Sequence, residues 1–510
     1  MKQEPISSRL EDLDDHYDVV VVGSGYGASV AASRLARAGR RVCVLERGRE
    51  ILLGDYPDTL AEAAGATQVS TAAGRIGDKS SLFSFHIGDD ISVLSGCGLG
   101  GTSLINANVS LEADPRVFER GWPQALRDDV DGGLADGIAR ARTMLGVNPL
   151  PDARTPAKLT ALGKAAAALG HEVTRTPVNV SFTDARNAAG VEQHACSGCG
   201  DCVSGCNVGA KNTLLMNYLP DAVRHGARIF TEVDVRHVAR AGTRWSVTIR
   251  PLEGGREDFD HAADILITAD IVVVGAGVLG STEILLRSAA HGLPLSGALG
   301  THFSGNGDVL GFAYAGRDAV HGVGHGDRPA AGREWVGPTI SGVIDIRADD
   351  VEDSFVIEDG SIPGAIASLV PTAFAAAAAM QHLESDLPSA LSQGAYGGPV
   401  DRSLTFLVMS HDDAGGRIVL EDEDRVRIDW QDAGDQPNVK RASDALRIAS
   451  TALGGRYVAN PTWSADQDHP LVTVHPLGGC PMAVTADAGV VDDRGRVFSG
   501  PTGTAVHDGL

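Results

Sequence analysis

The 510-residue sequence predicts an α/β protein: a Rossmann-like dinucleotide-binding domain carrying a discontinuous α+β substrate domain built on an antiparallel sheet. Three observations predict it. A β-branched run ends in a glycine-rich turn at 17–28, and a second strand with its own glycine turn returns at 270–280. Between 300 and 454, short apolar pieces alternate with turn residues.

Residues 1–16 read as an exposed acidic arm. Asp18–Val22 has the composition of a strand buried on both faces of a parallel sheet. Gly23-Ser24-Gly25-Tyr26-Gly27-Ala28 follows in the G-x-G-x-x-G/A arrangement. Gly23 allows a tight turn, Gly25 lets backbone N–H groups approach a pyrophosphate, and Ala28 is small enough for the helix to pack on the strand. Ala31, Leu35 and Ala38 give that helix an apolar face, Gly39 stops it, and Arg41–Leu45 is a second strand. Glu46 stands at about the ~20-residue interval expected of an acid that grips a ribose hydroxyl, with Arg47 beside it as a further cofactor-binding candidate. The bland alternative is a tight βα turn with no ligand.

Arg49–Phe85 lacks clean periodicity and predicts a course over the surface with one short helix near Leu60–Ala64. Ser95–Asn108, SGCGLGGTSLINAN, is a second glycine-rich stretch. Its Gly98, Gly100, Gly101 and Thr102 would let the backbone press against a flat or phosphorylated ligand, and Asn106 and Asn108 offer amides to polar ring edges; a flexible loop is the other reading. Asp114–Leu145 contains helical periodicity with a helix end at Gly146, and Thr155–Leu169 reads as a helix closed by Gly170.

Cys196, Cys199, Cys202 and Cys206 form a C-x₂-C-x₂-C-x₃-C run similar to that of bacterial ferredoxins, although Asn207 stands where their proline would be. An iron–sulfur cluster, a structural metal or disulfides, and free thiols all remain open for it. Gly209–Leu219 reads as a helix, and Ala227–Arg236 and Val247–Arg250 as strands. Asp270–Gly280 repeats strand and GxGxxG around Gly275, but no strand ending in an acid follows. The better reading is therefore a strand of the first sheet returning beside the same cofactor, not a second nucleotide such as NADPH.

In the substrate lobe, strand-like pieces at Asp308–Tyr314, Thr339–Arg347, Thr405–Ser410, Arg417–Leu420 and Arg425–Trp430 predict the antiparallel sheet, with Ala373–Leu391 as a helical cover. Glu358 and Asp359 follow an apolar strand directly, as a solvated strand end or as a catalytic carboxylate. His475, between an apolar strand and the turn Pro476–Gly479, is a candidate base whose ordinary pKa of about 6.5 suits proton removal near neutrality. The expected division is 17–110, 196–300 and 465–510 for the nucleotide-binding domain, and 111–195 and 301–464 for the substrate domain, with the cysteine loop at 196–206.

The totals exclude little. A net charge of −23 argues against nucleic acid and anionic membrane as partners. No apolar run is long enough to span a bilayer and the first residues show no secretory order, so a cytoplasmic location is expected. Seven cysteines with four inside eleven residues do not look like a secreted disulfide framework.

Taken together, GSGYGA at 23–28, GCGLGGTSLINANV at 96–109, CSGCGDCVSGCNVGAKNT at 196–213, VVVGAGVLGSTEILLRS at 272–288, FSGNGD at 303–308 and HPLGGC at 475–480 resemble the glucose–methanol–choline (GMC) family of flavin oxidoreductases, particularly its cholesterol-oxidase-like branch. The resemblance implies FAD, with adenosine and pyrophosphate on the opening motif, Glu46 on the ribose, and Val235 at the adenine. The 96–109 stretch would lie along pyrophosphate and flavin. His475 would face the flavin and manage the hydroxyl proton while hydride leaves the adjacent carbon, and Glu358 would match the acid that shifts a double bond in the steroid-oxidising branch. Asp508, in AVHDG at 505–509, would match a late FAD contact. The family then continues to a glycine-Asn-Pro segment whose asparagine pairs with the catalytic histidine; here the sequence halts at Leu510, so a truncated chain or a second polypeptide supplying the rest is expected. The implied activity is oxidation of a secondary hydroxyl on a steroid-like substrate. One alternative is an iron–sulfur dehydrogenase of a sugar or polyol that passes electrons to a protein acceptor; the other is a flavin-free scaffolding subunit.

Overall fold

The computed structural model describes residues 4–252, 264–328, 333–381, 387–422, 425–460 and 471–510. The opening segment folds as β1 (His16–Val22), α1 (Tyr26–Arg37) and β2 (Val42–Leu45). Val19 to Val22 and Val42 to Leu45 are buried throughout, the pattern of strands covered on both faces. Four further strands complete the sheet: β3 (Arg228–Phe230), β4 (Val233–Ala241), β5 (Arg244–Pro251) and β6 (Ile265–Val274). Their order is β3-β2-β1-β6-β5-β4. The first four run parallel, and β5 and β4 close the edge as an antiparallel ribbon.

The returning strand is thus part of the first sheet: β6 pairs with β1 residue for residue from Val19–Ile271 to Val22–Val274. The two glycine turns interlock. A Cβ on Gly23, whose φ is +90°, would lie 2.5 Å from the Gly275 oxygen, and a Cβ on Gly275 would lie 2.9 Å from that of Ala28. Small residues are required at all three positions by one contact. The expected strand Ala227–Arg236 is two strands, divided where Glu232 adopts a left-handed conformation with φ 57°.

The second sheet is antiparallel throughout. Its strands β7 (Val309–Tyr314), β8 (Gly342–Ile346), β9 (Phe355–Gly360), β10 (Leu404–Ser410) and β11 (Arg456–Ala459) lie in the order β11-β7-β10-β9-β8, and Val173–Arg175 adds the last edge. Helices Ala157–Leu169 and Pro437–Ala452 share its core with Phe406, Val408, Ile344 and Leu446. Arg417–Asp422 and Arg425–Asp429 form a separate ribbon outside this sheet. The expected cover at Ala373–Leu391 is present as Val370–Met380 and Leu387–Gln393, and residues 382–386 lie outside the described residues.

Two expectations need correction. Thr67–Thr71, Gly74–Ile76 and Phe83–His86 do not wander; they pair into a five-stranded sheet with Ile91–Gly96 and Leu471–Thr473. Their sequences TQVST, GRI and FSFH are too short and too polar to show a period, and long-range pairing supplies the order. Gly209–Leu219 is not a helix: a 3₁₀ turn at Leu214–Met216 precedes a helix over Tyr218–Arg224. The Lys211 ammonium donates to the carbonyl oxygens of Leu104, Asn106 and Cys202, which ties 211 to two loops in place of a helical turn. No described helix is long and apolar enough to cross a membrane.

Candidate active site

A cavity of about 2950 Å³ opens at the carboxyl ends of the parallel strands and extends under the second sheet. Ligands bind at that end of an open α/β sheet because the strand order reverses there and the loops diverge. The volume exceeds the ~300–1,000 Å³ of a single small-molecule pocket, leaving room for a dinucleotide and a substrate together.

At its nucleotide end the wall is formed by Gly23, Gly25, Tyr26, Gly27, Glu46, Arg47, Val235, Gly275 and Asp508. A Cβ on Gly25 or Gly27 would meet nothing within 4 Å, so the backbone there is open to a close ligand. Both Glu46 oxygens are engaged: Oε2 accepts from Ser24 Oγ at 2.6 Å and Oε1 from the Gly48 amide at 2.8 Å. Burial raises its carboxyl above the usual range, against the pull of these donors. Ala28, Gly98 and Gly100 do not line the cavity. Ala28 packs on Gly275. Gly98, at φ +158°, lets Gly48 approach so closely that a Cβ on Gly48 would lie 2.1 Å from the Gly98 nitrogen. A charged cluster that the sequence does not advertise also lines this end: Arg75, Asp234, Glu283 and Arg287. The charges of Asp234 and Glu283, after that of Cys97, raise the pKa of Arg47 further. These residues are scattered over three elements, and only the fold collects them.

Gly101, Thr102, Asn106 and Asn108 line the middle of the cavity. Asn106 donates to Tyr26 Oη at 2.7 Å. Asn108 is 1% exposed, sits at φ 70°, and leaves both Oδ1 and Nδ2 without a hydrogen-bond partner. Buried amides are ordinarily satisfied, so an orphaned pair on a cavity wall fits a ligand with both a donor and an acceptor edge, as a flavin ring has.

His475 and Glu358 meet at the substrate end. The HPLGGC segment is laced to 300–304 by backbone bonds from Gly300 to Gly479 at 2.7 Å and between Ser304 and Leu477 at 2.9 and 3.1 Å. His475 Nδ1 lies 2.9 and 3.0 Å from the two oxygens of Asp308. A carboxylate has no proton to give, so Nδ1 donates and Nε2 is the free nitrogen. Burial lowers the affinity of His475 for a proton, but the hydrogen bond and charge of Asp308, helped by Glu358, outweigh it and raise the pKa above the ordinary value. Nothing local marks Asp308 for this contact except its place at the end of FSGNGD.

Consecutive strand residues face opposite sides. Glu358 on β9 lines the cavity, while Asp359 faces away and pairs with Lys158 Nζ at 2.7 Å, both side chains 0% exposed. The solvated strand end is ruled out. Glu358 Oε1 has no partner, and burial, followed by the charge of Asp359, pushes its pKa up to about 8. Its proton is therefore held to a higher pH than that of an exposed carboxyl. Around it the wall is apolar, with Leu310, Phe312, Val343, Phe355, Phe374 and Leu407.

None of the four clustered cysteines lines the cavity, although Val203 and Ser204 of the same loop do. None of the four is in a disulfide. A single tetrahedral ion with bonds of ~2.3 Å needs sulfurs within about 4 Å of one another. Among the described residues, the only three such ligand groups within 4.8 Å of one another are His16, Asp18 and Asp270, so the thiols are not set for one ion. They do share a neighbourhood: burial, then the charge of Cys202, pushes Cys196 up to about 12.

Comparison with known proteins agrees with this geometry. The family model described as GMC oxidoreductase matches residues 17–303. A cholesterol oxidase of Mycobacterium tuberculosis is 27% identical over 527 residues, covering 95% of this chain and 85% of that protein. The long-chain-alcohol oxidase FAO4B of Arabidopsis thaliana is 23% identical, covering 98% of this chain and 65% of its own. Among solved structures, pyridoxine 4-oxidase from Mesorbium loti superposes with a TM-score of 0.57 at 20% identity, covering 96% of this chain and 95% of that one. With the model spanning more than half of its length, the chain belongs to the GMC oxidoreductase family, FAD-dependent enzymes that act on CH–OH groups.

Proposed function

We propose that this protein oxidises a secondary hydroxyl on an apolar, ring-bearing substrate to a ketone, with His475 as the proton acceptor. The observation that carries the reading is one cavity in which a dinucleotide turn, an unsatisfied Asn108 and His475 meet an apolar wall. Bound FAD would supply the acceptor for the hydride. Of the residues named from sequence for the cofactor, those that line the cavity, from Gly23 to Asp508, are proposed to hold it, with Asn108 on the polar ring edge. His475 would orient the hydroxyl and take its proton. Glu358, buried and with its proton affinity raised, is suited to exchange a proton with carbon, as a double-bond shift after oxidation requires. Anaerobic mixing with a 3-hydroxysteroid should bleach the flavin absorption of the purified protein; bleaching by polyols and not by sterols would overturn the substrate class.

A second reading is favoured by the free cysteine loop, which reaches the cavity wall through Val203 and Ser204. There Cys196, Cys199, Cys202 and Cys206 would hold an iron–sulfur cluster that passes electrons to a protein acceptor. Protein purified without oxygen should then show broad absorption beyond the flavin bands, and Cys199→Ser should abolish it. Wild-type protein with flavin bands alone and no iron would remove the cluster.

A further inference from the structure

We propose that Asp308 is a positioning residue for His475, one that fixes the proton on Nδ1 and so reserves Nε2 for the substrate hydroxyl. The inference rests on the alcohol oxidation proposed above. Its basis is geometric. The Asp308 side chain is 2% exposed, and its neighbour His475 is 41% exposed toward the cavity. Both carboxylate oxygens lie within 3.0 Å of the same ring nitrogen. Oδ2 also accepts from the Val474 amide at 2.9 Å and lies 3.0 Å from Thr473 Oγ1. A carboxylate kept from water stays ionised only where donors surround it, and here the donors come from the segment that carries the histidine.

The main chain of that segment does not need Asp308 to hold its place, because Gly300, Ser304, Leu477 and Gly479 already lace it down. What Asp308 adds is a charge and a direction for the ring. Of the other titratable groups near His475, Glu358 acts from β9, and Lys158 and Asp359 offset one another behind it. Asp412 accepts from the amides of Gly305 and Gly307 at 2.9 Å each and from Ala414 at 3.0 Å, so its carboxylate is turned to backbone.

In the step served by this pair, the substrate O–H bond breaks and its proton goes to Nε2. The C–H electron pair would leave as hydride to bound FAD as the C=O bond forms. The imidazolium so produced keeps its Nδ1–H on Asp308, which stabilises the positive charge where it develops. Without the carboxylate an amide can donate to Nδ1 instead, placing the hydrogen on Nε2 and blocking proton transfer.

The test compares Asp308→Asn, His475→Ala and the double variant by anaerobic stopped-flow reduction of bound flavin across pH. Asp308→Asn should keep FAD and slow reduction by roughly 10²–10⁴-fold. The double variant should be no slower than His475→Ala alone, because the two side chains act as one unit. The residual activity of Asp308→Asn should have its acid limb at lower pH than wild type, since the carboxylate that favoured the imidazolium is gone; a merely structural residue would not move that limb. Wild-type rate and limb in Asp308→Asn, with His475→Ala slow, would overturn the proposal and leave the oxidation standing. Wild-type rate in His475→Ala would instead overturn the role of the histidine, and the proposal with it. Should Asp308→Asn lose FAD, Asp308→Glu decides: retention of at least about a tenth of the wild-type rate supports the charge, and a rate as low as that of His475→Ala overturns it.

Discussion

Alanine at position 475 should leave FAD bound and slow its reduction by about 10²–10⁴-fold, the usual worth of a general base. Cofactor retention is expected because the pyrophosphate turn at Gly23–Gly27 and the Asn106–Asn108 wall stand on other elements. The pH dependence should change along with the rate. Asp308 and Glu358 together raise the proton affinity of His475, so in the wild-type enzyme the neutral base is depleted on the acid side and reduction quickens as pH rises through that titration. The alanine variant should lose this limb. Rapid-mixing spectra at several pH values read both effects, and an unchanged rate would show that another group takes the proton.

The second large effect belongs to Lys158. Replacing it with alanine should cost about 3–5 kcal/mol of stability, the usual penalty for stranding one partner of a buried ion pair. Lys158 Nζ contacts the Thr339 carbonyl at 3.1 Å, Ser341 Oγ at 3.0 Å and Asp359 at 2.7 Å, all away from water. Asp359 would keep the amides of Ser341 and Gly342 at 2.7 Å, but not a counter-charge. Urea unfolding monitored by circular dichroism measures the loss. A change below about 1 kcal/mol would mean that water or a proton relieves Asp359. The substitution should also reach the active site, because the Lys158 charge opposes the rise in Glu358's pKa.

Much of this fold was legible where one short stretch contained its own explanation. The βαβ unit at 17–46 shows strand, turn, helix and strand in consecutive residues, and the absence of a strand ending in an acid after Gly275 correctly returned β6 to the first sheet. The antiparallel lobe was legible from alternating short pieces at Val309–Tyr314, Gly342–Ile346 and Leu404–Ser410. What stayed hidden depends on residues far apart. The strands between Thr67 and His86 gain their order only from partners across a sheet. Asp308 meets His475 across 167 positions, and Lys158 meets Asp359 across 201. No local period encodes such pairs. Only the family resemblance told Glu358 from Asp359 in sequence; the physical reason is the alternation of a strand, which sends one to the cavity and the other to Lys158.

The strand before His475, Leu471–Thr473, pairs in parallel with Ile91–Val93, and β1 waits for Ile271–Val274 before its second neighbour exists. During synthesis, therefore, the first 46 residues can leave the ribosome with a local helix but only part of their sheet, and the nucleotide site closes only after Gly275 has emerged. His475 arrives later still, just after a strand whose partner was made some 380 residues earlier. Contacts so distant in sequence form slowly, because a long loop must close before they repay its entropy. A nascent chain stalled short of residue 471 would carry both glycine turns of the nucleotide end, but neither Asp508 nor His475.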